Sequence, residues 1–486
     1  MTRFIAFVLL SIGWLIGPGP VPVFAQPDSL MFSEVSGFPY PAPYSAYTAR
    51  FDRWGRPYIY TANKEYGVVV FDFSNPLEIK PVRTFSVQQF QNLKPTDLVQ
   101  QGNYLYVALG GFDGVFTQSA GLAVLDVSDP ENAAVLGQWD SLAFNKGCAA
   151  VRVDSNYAYL GAMEKGVIIL DVSEPTQPKY VSHLELDLNW PVPPGLFSVP
   201  HARGFALRDD DLWVCFDAGG LRRIDVSDKQ HPVEKTKYLN PDLDAAAQPA
   251  YNTAVITGNY LYAAVDYCGF DIVDIGNPDQ PAPAAWENPW NCSNTNWDGS
   301  PGHTNQLTTG CHDSLLFLSG ADSEVLAYSI ADPGKPERVG EWAVLNDSIV
   351  TWGLDVNDSL VVLAQIWNPL NAPYIAKKGG IRLLRWGCPQ TSSTPIVVKD
   401  ELPILVCPNP AQQSVEVTYT FRRGGAASWA VFDALSRLVA CGEWPAQESG
   451  TNRANVDLGA APEGLLFLKV WDDRHVFCKT MIKTHF

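Results

Sequence analysis

His201, His303 and Asp322 are the side chains in this chain best suited to acid–base chemistry, since an imidazole or carboxylate can exchange a proton with a bound substrate. The signal is weak, because the chain carries seven histidines and two of them fall beside long loops by chance alone. No nucleophile elbow, His-rich metal motif or phosphate-cradling glycine loop accompanies them, and no Cys/His spacing suits zinc. No confident catalytic residue, no metal and no cofactor is therefore expected. A second set suits recognition: Trp190, Trp290, Trp297 and Trp367 lie in long loop segments, and Arg203 follows one of them. Indole rings stack on the apolar face of a sugar or a peptide while polar neighbours orient it. The same rings would equally serve to pin long loops by ordinary packing. The sequence thus favours a non-enzymatic binding or scaffold protein for a glycan or protein ligand. The alternative is an extracellular polysaccharide hydrolase or lyase on the same scaffold.

The elements that must position these residues are repeats. One phrase recurs as Gly67-VVVF-Asp72-Phe-Ser74, Gly121-LAVL-Asp126-Val-Ser128, Gly166-VIIL-Asp171-Val-Ser173, Gly220-LRRI-Asp225-Val-Ser227 and Gly269-FDIV-Asp274-Ile-Gly276. Degenerate copies start at Glu324 and Gly380, so that seven copies recur at intervals of 45 to 56 residues. Before each copy comes a turn residue and a run such as Asn103-YLYVA or Asn259-YLYAA, which reads as a strand leaving a tight turn. A further short apolar strand lies on either side, making four antiparallel strands per unit. A lone four-stranded sheet cannot bury both faces, whereas radial stacking of seven buries them and leaves short edges. The predicted fold is all-β, a seven-bladed β-propeller. The last copy ends near Trp386 without a fourth strand, and residues 30–37 are expected to supply it. The repeat aspartates Asp72, Asp126, Asp171, Asp225 and Asp274 are expected to cap turns rather than bind metal.

The phrases Gly121-LAVLDVSDP and Gly166-VIILDVSEP resemble the LVIVD repeat of secreted bacterial and archaeal proteins, over roughly residues 30 to 390. That resemblance implies a propeller outside the cytoplasm and no particular activity.

After Cys388 the composition turns to Thr, Ser and Pro, a linker, and from Leu402 the repeat is gone. Short strands separated by turns suggest a small Ig-like β-sandwich. Three phrases there resemble the C-terminal sorting domain of the type IX secretion system of Bacteroidetes-type bacteria. They are Cys407-Pro408-Asn409-Pro410, Val431-FDALSRLV with Asp433, and Leu458-GAAPEGLLFLKV with Gly464, followed by a terminal strand holding Lys483. Phe467 stands where that family has Tyr, and Ser436 where it has Gly. The resemblance implies passage through the periplasm, recognition by the type IX machinery, and release or retention at the outer-membrane surface.

The rest of the sequence agrees with such a destination. Arg3 followed by the uncharged apolar run Phe4–Ile16 and the small residues before Gln26 read as a secretory signal peptide cleaved near Ala25. No span is expected in the mature chain. The formal charge of −18 argues against nucleic acid. Nine cysteines permit disulfides, and Cys268, Cys292 and Cys311 surround one long loop, although the sequence does not choose the pairs. The expected division is 1–25 signal peptide, 26–388 propeller, 389–401 linker and 402–486 sorting sandwich.

Overall fold

A computed structural model describes residues 30–111, 117–193, 199–243, 249–290, 292, 303–320, 324–343, 349–368, 376–387, 405–407, 411–421, 425–433, 438–447, 450–459, 461–471 and 476–484. The signal peptide, the linker, Trp297, Asp322, Pro408, Asn409 and Pro410 lie outside these residues. Among the described residues no helix is long and apolar enough to cross a membrane.

Between residues 33 and 385 the chain forms seven four-stranded antiparallel sheets. Six are built from consecutive strands; the second, for example, runs Pro95–Gln101, Tyr104–Leu109, Ala120–Asp126 and Ala134–Ser141. The seventh combines Thr351–Val356, Leu360–Gln365 and Gly380–Arg385 with the N-terminal strand Ser33–Pro39, which pairs with Gly380–Arg385. That strand is the closing piece expected from the sequence, displaced a few residues along the chain.

The burial pattern explains why the strands read as continuous apolar runs. Leu105, Val107 and Leu109 pack into a core shared with the first sheet, while Tyr106 and Ala108 turn the other way into a core shared with the third. Alternate residues of one strand point to opposite faces, so a sheet covered on both sides must be apolar at every position. Seven such cores, each between two neighbouring sheets, follow one another. The last joins Leu360, Val362 and Leu383 of the seventh sheet to Ile59, Val69 and Phe71 of the first. The first strand of every sheet touches the first strand of the next, and that of the seventh touches that of the first.

The repeat phrase has a local cause at each of its positions. Asp72, Asp126, Asp171, Asp225 and Asp274 each accept from the backbone N–H two residues on, at 2.7–3.0 Å. This is the turn-capping use expected of them. Gly67 and Gly269 have φ of +95° and +76°, and a Cβ there would collide with the carbonyl oxygens of Phe85 and Glu287. Just before each Asp the pairing with the fourth strand slips by one residue, at Val70/Phe71, Val124/Leu125, Ile169/Leu170, Arg223/Ile224 and Ile272/Val273. A bulge at that point adds twist to the outer strand.

Two charged residues of the repeat phrase are fully buried. They are Arg222 and Asp271, which hold the same place in neighbouring copies. Asp271 accepts from the Tyr251 hydroxyl and from Asn240 Nδ2, both at 2.8 Å, so that it ties the fourth sheet to the fifth. Burial pushes its carboxyl up from 3.8 to about 6. The native state therefore holds this proton to higher pH than the unfolded chain does. Its contribution is fully present below about pH 4 and is lost as pH rises through about 6. A difference of that size corresponds to about 3 kcal/mol. The gap in unfolding free energy between wild type and Asp271→Asn is expected to move by about that much between pH 4 and pH 7, in favour of Asn at high pH. Urea titrations at both pH values measure it, and parallel curves would rule the shift out.

From Leu405 onward a three-stranded sheet and a four-stranded sheet share one core that includes Val415, Val417, Val431, Val456, Leu468 and Met481. Asp433 ends the strand Gly425–Asp433, and Gly464 opens the strand Gly464–Trp471 with φ +114°. Lys483 Nζ donates to the carbonyls of Leu458, Gly459 and Ala461 at 2.5–3.2 Å, which closes the turn before Gly464.

Candidate functional site: a cationic channel

The seven first strands converge around a central cavity of about 160 Å³ that residues from all seven sheets line. Strands splayed around a ring cannot form a backbone ladder with one another, so their inner N–H and C=O groups need other partners. Side chains supply many of them across the seams. Asp97 accepts from Val151 N–H at 3.1 Å, Thr96 Oγ1 donates to the Cys148 carbonyl at 2.7 Å, and Asn305 Nδ2 donates to the Trp352 carbonyl at 3.1 Å. At the closing seam Asp355 accepts from Phe51 N–H at 2.9 Å, and between the sixth and seventh sheets Gln306 Oε1 accepts from Leu354 N–H at 2.8 Å. Polar residues in the channel are in this respect part of the fold.

The arginines are in excess of that need. Arg50, Arg53, Arg152 and Arg203 face two carboxylates, Asp97 and Asp355, in a chain of net charge −18. Arg50 Nη1 donates to the Leu354 carbonyl at 2.9 Å and to Gln306 Oε1 at 3.1 Å, and its Nη2 lies 3.8 Å from Asp97. Arg53 pairs with Asp355 at 3.2 Å. Arg152 has no ion pair or hydrogen bond among the described residues. Its side chain reaches channel water although protein surrounds it. Burial, then the charges of Arg53 and Arg50, lower its pKa. Burial is also the first cause that lowers Arg50. Three cations therefore feel one another in a partly dehydrated place, the electrostatic setting of an anion site.

The residues singled out from sequence are dispersed around this cavity. Arg203 lines it. His201 Nδ1 lies 3.1 Å from Asp217 Oδ2, with 23% of its side chain exposed. His303 is fully buried, its Nδ1 3.0 Å from Asp266 Oδ1 and its ring 5.1 Å from that of Trp352. A carboxylate can only accept, so in both pairs Nδ1 carries the proton. Trp190 has a structural partner: Arg222 stacks over its ring at 4.8 Å and donates to its carbonyl at 3.1 Å. Trp290 packs half-buried against the core between the fifth and sixth sheets. Trp367 N–H donates to Ser45 Oγ at 2.8 Å, which fastens its loop to the first sheet. Cys268 and Cys292 form a disulfide at the base of the loop that holds Trp290. None of His201, His303, Trp190, Trp290 and Trp367 lines the cavity.

Sequence reasoning passed over Arg50, Arg53, Arg152, Tyr47 and Trp352, all of which line the channel. A signal was present, since a charged residue in the first strand of a repeat has only the channel to face. It is visible only once that strand is known to be innermost.

This arrangement defines an all-β repeat protein with a polar, positively charged centre. The chain carries LVIVD repeats: that family matches residues 95–140, 148–184, 201–240 and 252–284. These segments fall on the second to fifth sheets, and the remaining three share the architecture without matching. Among solved structures, Raptor of Chaetomium thermophilum aligns over 74% of this chain and 29% of that chain, at 11% identity and a TM-score of 0.51. The β-propeller domain of Cps50 (Swd1) from Myceliophteria thermophila covers 72% of this chain and 99% of that one at 13% identity, with a TM-score of 0.47. PorZ, a surface component of the type IX secretion system of Porphyromonas gingivalis, covers 88% and 64% at 12% identity, with a TM-score of 0.39. At such identities the likeness concerns fold alone. No curated protein matches the chain.

Proposed function

We propose that this chain is an exported, seven-bladed β-propeller that works by binding a ligand at its central channel rather than by catalysis. The propeller spans residues 26–388, after a signal peptide over 1–25. A linker over 389–401 leads to an Ig-like sandwich over 402–486 that serves as a type IX sorting signal. The mature protein is secreted or held at the outer-membrane surface. The observation that carries the binding reading is the cavity into which all seven first strands bring polar and cationic side chains. The cyclic run of seven cores supports the blade count. For the sorting signal, support comes from the shared core of the two C-terminal sheets and from the Lys483 contacts within the phrase that resembles it. The His201–Asp217 pair favours the rival reading, a polysaccharide hydrolase or lyase, because it presents a partly exposed imidazole oriented by a carboxylate, whereas His303 is buried.

One experiment separates the two. The full chain is offered a glycan and polysaccharide panel, and any retained material is sized. Intact retained ligand is the expected result; shortened chains lost on His201→Ala would make the protein an enzyme. Export is tested separately in a cell with a type IX system, by deleting residues 402–486. The truncated chain is expected to accumulate in the periplasm, and unchanged delivery outside the cell would remove the sorting assignment.

A further inference from the structure

The cavity holds a charged side chain that the ring itself does not consume. The seam bonds use Asp97 and Asp355, and they use Arg50 against the Leu354 carbonyl, Gln306 and Asp97. Arg53 leans on Asp355 with half of its side chain exposed, and Arg152 stands without a polar partner among the described residues. An unpaired guanidinium kept close to two others is a standing electrostatic cost, which a bound anion removes. The guanidinium fork suits a planar, two-oxygen acceptor best. Beside the cations the wall carries the Thr308 hydroxyl and the Tyr47 and Trp352 rings, whose centroids are 5.7 Å apart, while Thr48, Asn252 and Thr253 donate across the seams to the Thr96, Thr304 and Asn305 carbonyls and keep acceptor lone pairs. That lining suits a polyhydroxylated ring, with sugar hydroxyls donating to the remaining lone pairs of these side chains and an apolar sugar face meeting an aromatic. A cavity of about 160 Å³ matches in size one that takes up a benzene ring, which is room for one sugar unit.

We propose that the channel is a receptor for a carboxylated sugar, a hexuronate unit whose carboxylate is taken by Arg152 with Arg53 beside it. This rests on the binding reading and names its ligand class. The uronate is either a free sugar acid or the end of an acidic polysaccharide, and the chemistry at the arginines is the same for both.

The test is calorimetric titration of the full chain with galacturonate, glucuronate and a uronate trimer, against galactose, citrate and inorganic phosphate. Uronates are expected to bind, galactose is not, and raising salt is expected to weaken the interaction. Arg152→Gln is expected to weaken uronate binding about tenfold or more, the loss of one charge-assisted hydrogen bond. Its melting temperature is expected to stay at the wild-type value or rise, because the side chain holds nothing else and its charge is a cost to the free protein. Arg53→Gln is the second variant and should weaken binding in the same direction. Tighter binding of the trimer than of the monomer assigns the site to a polysaccharide end; equal binding assigns it to the free sugar acid. Phosphate or citrate binding as tightly as uronate would overturn the proposal, since charge alone would then be read. Wild-type affinity in Arg152→Gln would overturn it as well. If uronates fail while another glycan or a protein is retained equally by wild type and Arg152→Gln, the acidic-sugar assignment falls and the binding reading stands. If nothing on the panel is retained, both fall.

Discussion

A chain that begins at Tyr40 is expected to lose the cooperative unfolding of the ring, because Ser33–Pro39 is the strand that closes it. This strand pairs with Gly380–Arg385 over six residue pairs, with a bulge between Glu34 and Ser36. Phe38 packs 5.2 Å from Phe71, so a residue of the seventh sheet reaches into the first. Glu34 adds an ion pair to Arg382 at 3.5 Å. This last contact is half exposed and counts for little. The main terms are the ladder hydrogen bonds, ~1 kcal/mol each, and the apolar burial of Phe38 and Val35, ~2 kcal/mol each. Together they come to roughly 5–10 kcal/mol, comparable to the whole stability of a typical domain. Denaturant titration followed by tryptophan fluorescence is expected to show a lower midpoint and a broadened transition. Phe38→Ala is the milder probe and is expected to cost about 3 kcal/mol without opening the ring. An unchanged midpoint and slope in the deletion would mean that the ring is closed by the inner strands alone.

The second large effect is expected at Arg222. Its guanidinium is fully buried and donates to the carbonyls of Gly219, Asp187 and Trp190 at 2.7, 3.0 and 3.1 Å. It also pairs with Glu234 at 2.6 Å and lies between the rings of Trp190 and Phe216. Burial lowers its pKa, and the Glu234 carboxylate opposes that shift. Replacing both partners of such a pair by apolar groups can be neutral, whereas removing one strands the others. Arg222→Ala leaves the buried Gly219 carbonyl, two partly buried carbonyls and the Glu234 carboxylate without their donor, and a void beside two aromatic rings, so about 3–5 kcal/mol of destabilisation is expected. Arg222→Met refills the volume and is expected to recover only a minor part. Trp190 should report the change directly through its fluorescence, since it loses the cation stacked on it. A loss below about 1 kcal/mol would mean that water replaces the guanidinium.

How far these features could be read in advance differs by position. The Gly-to-Asp phrase was legible because its causes are local: a left-handed backbone at Gly67 and a two-residue turn bond at Asp72 leave the same residues in every copy. The closing strand was legible from a shortage, since the last repeat lacks a partner and residues 30–37 have the right pattern. Arg222 and Asp271 were less so. They sit inside the repeat phrase, and nothing in one copy shows which buried carbonyls or hydroxyls its neighbour supplies. The loop tryptophans drew notice because loops carry function, yet Trp190 is bound up with Arg222 and Trp367 is tied at its backbone to Ser45.

By itself the sequence determined the all-β class, the repeat and its turn chemistry, and the N-terminal partner of the final sheet, because periodicity and turn residues act over a few neighbours. Only the tertiary structure decided where charge gathers. Arg50 and Arg152 stand far apart along the chain in two different sheets, and each alone reads as an ordinary strand residue, while Arg203, noticed for its loop, joins them from beside a third. Closing the ring turns their strands toward one axis, where the carboxylates are already engaged by backbone N–H groups. The same closure that buries the apolar faces between sheets thereby concentrates positive charge at the centre of an acidic protein.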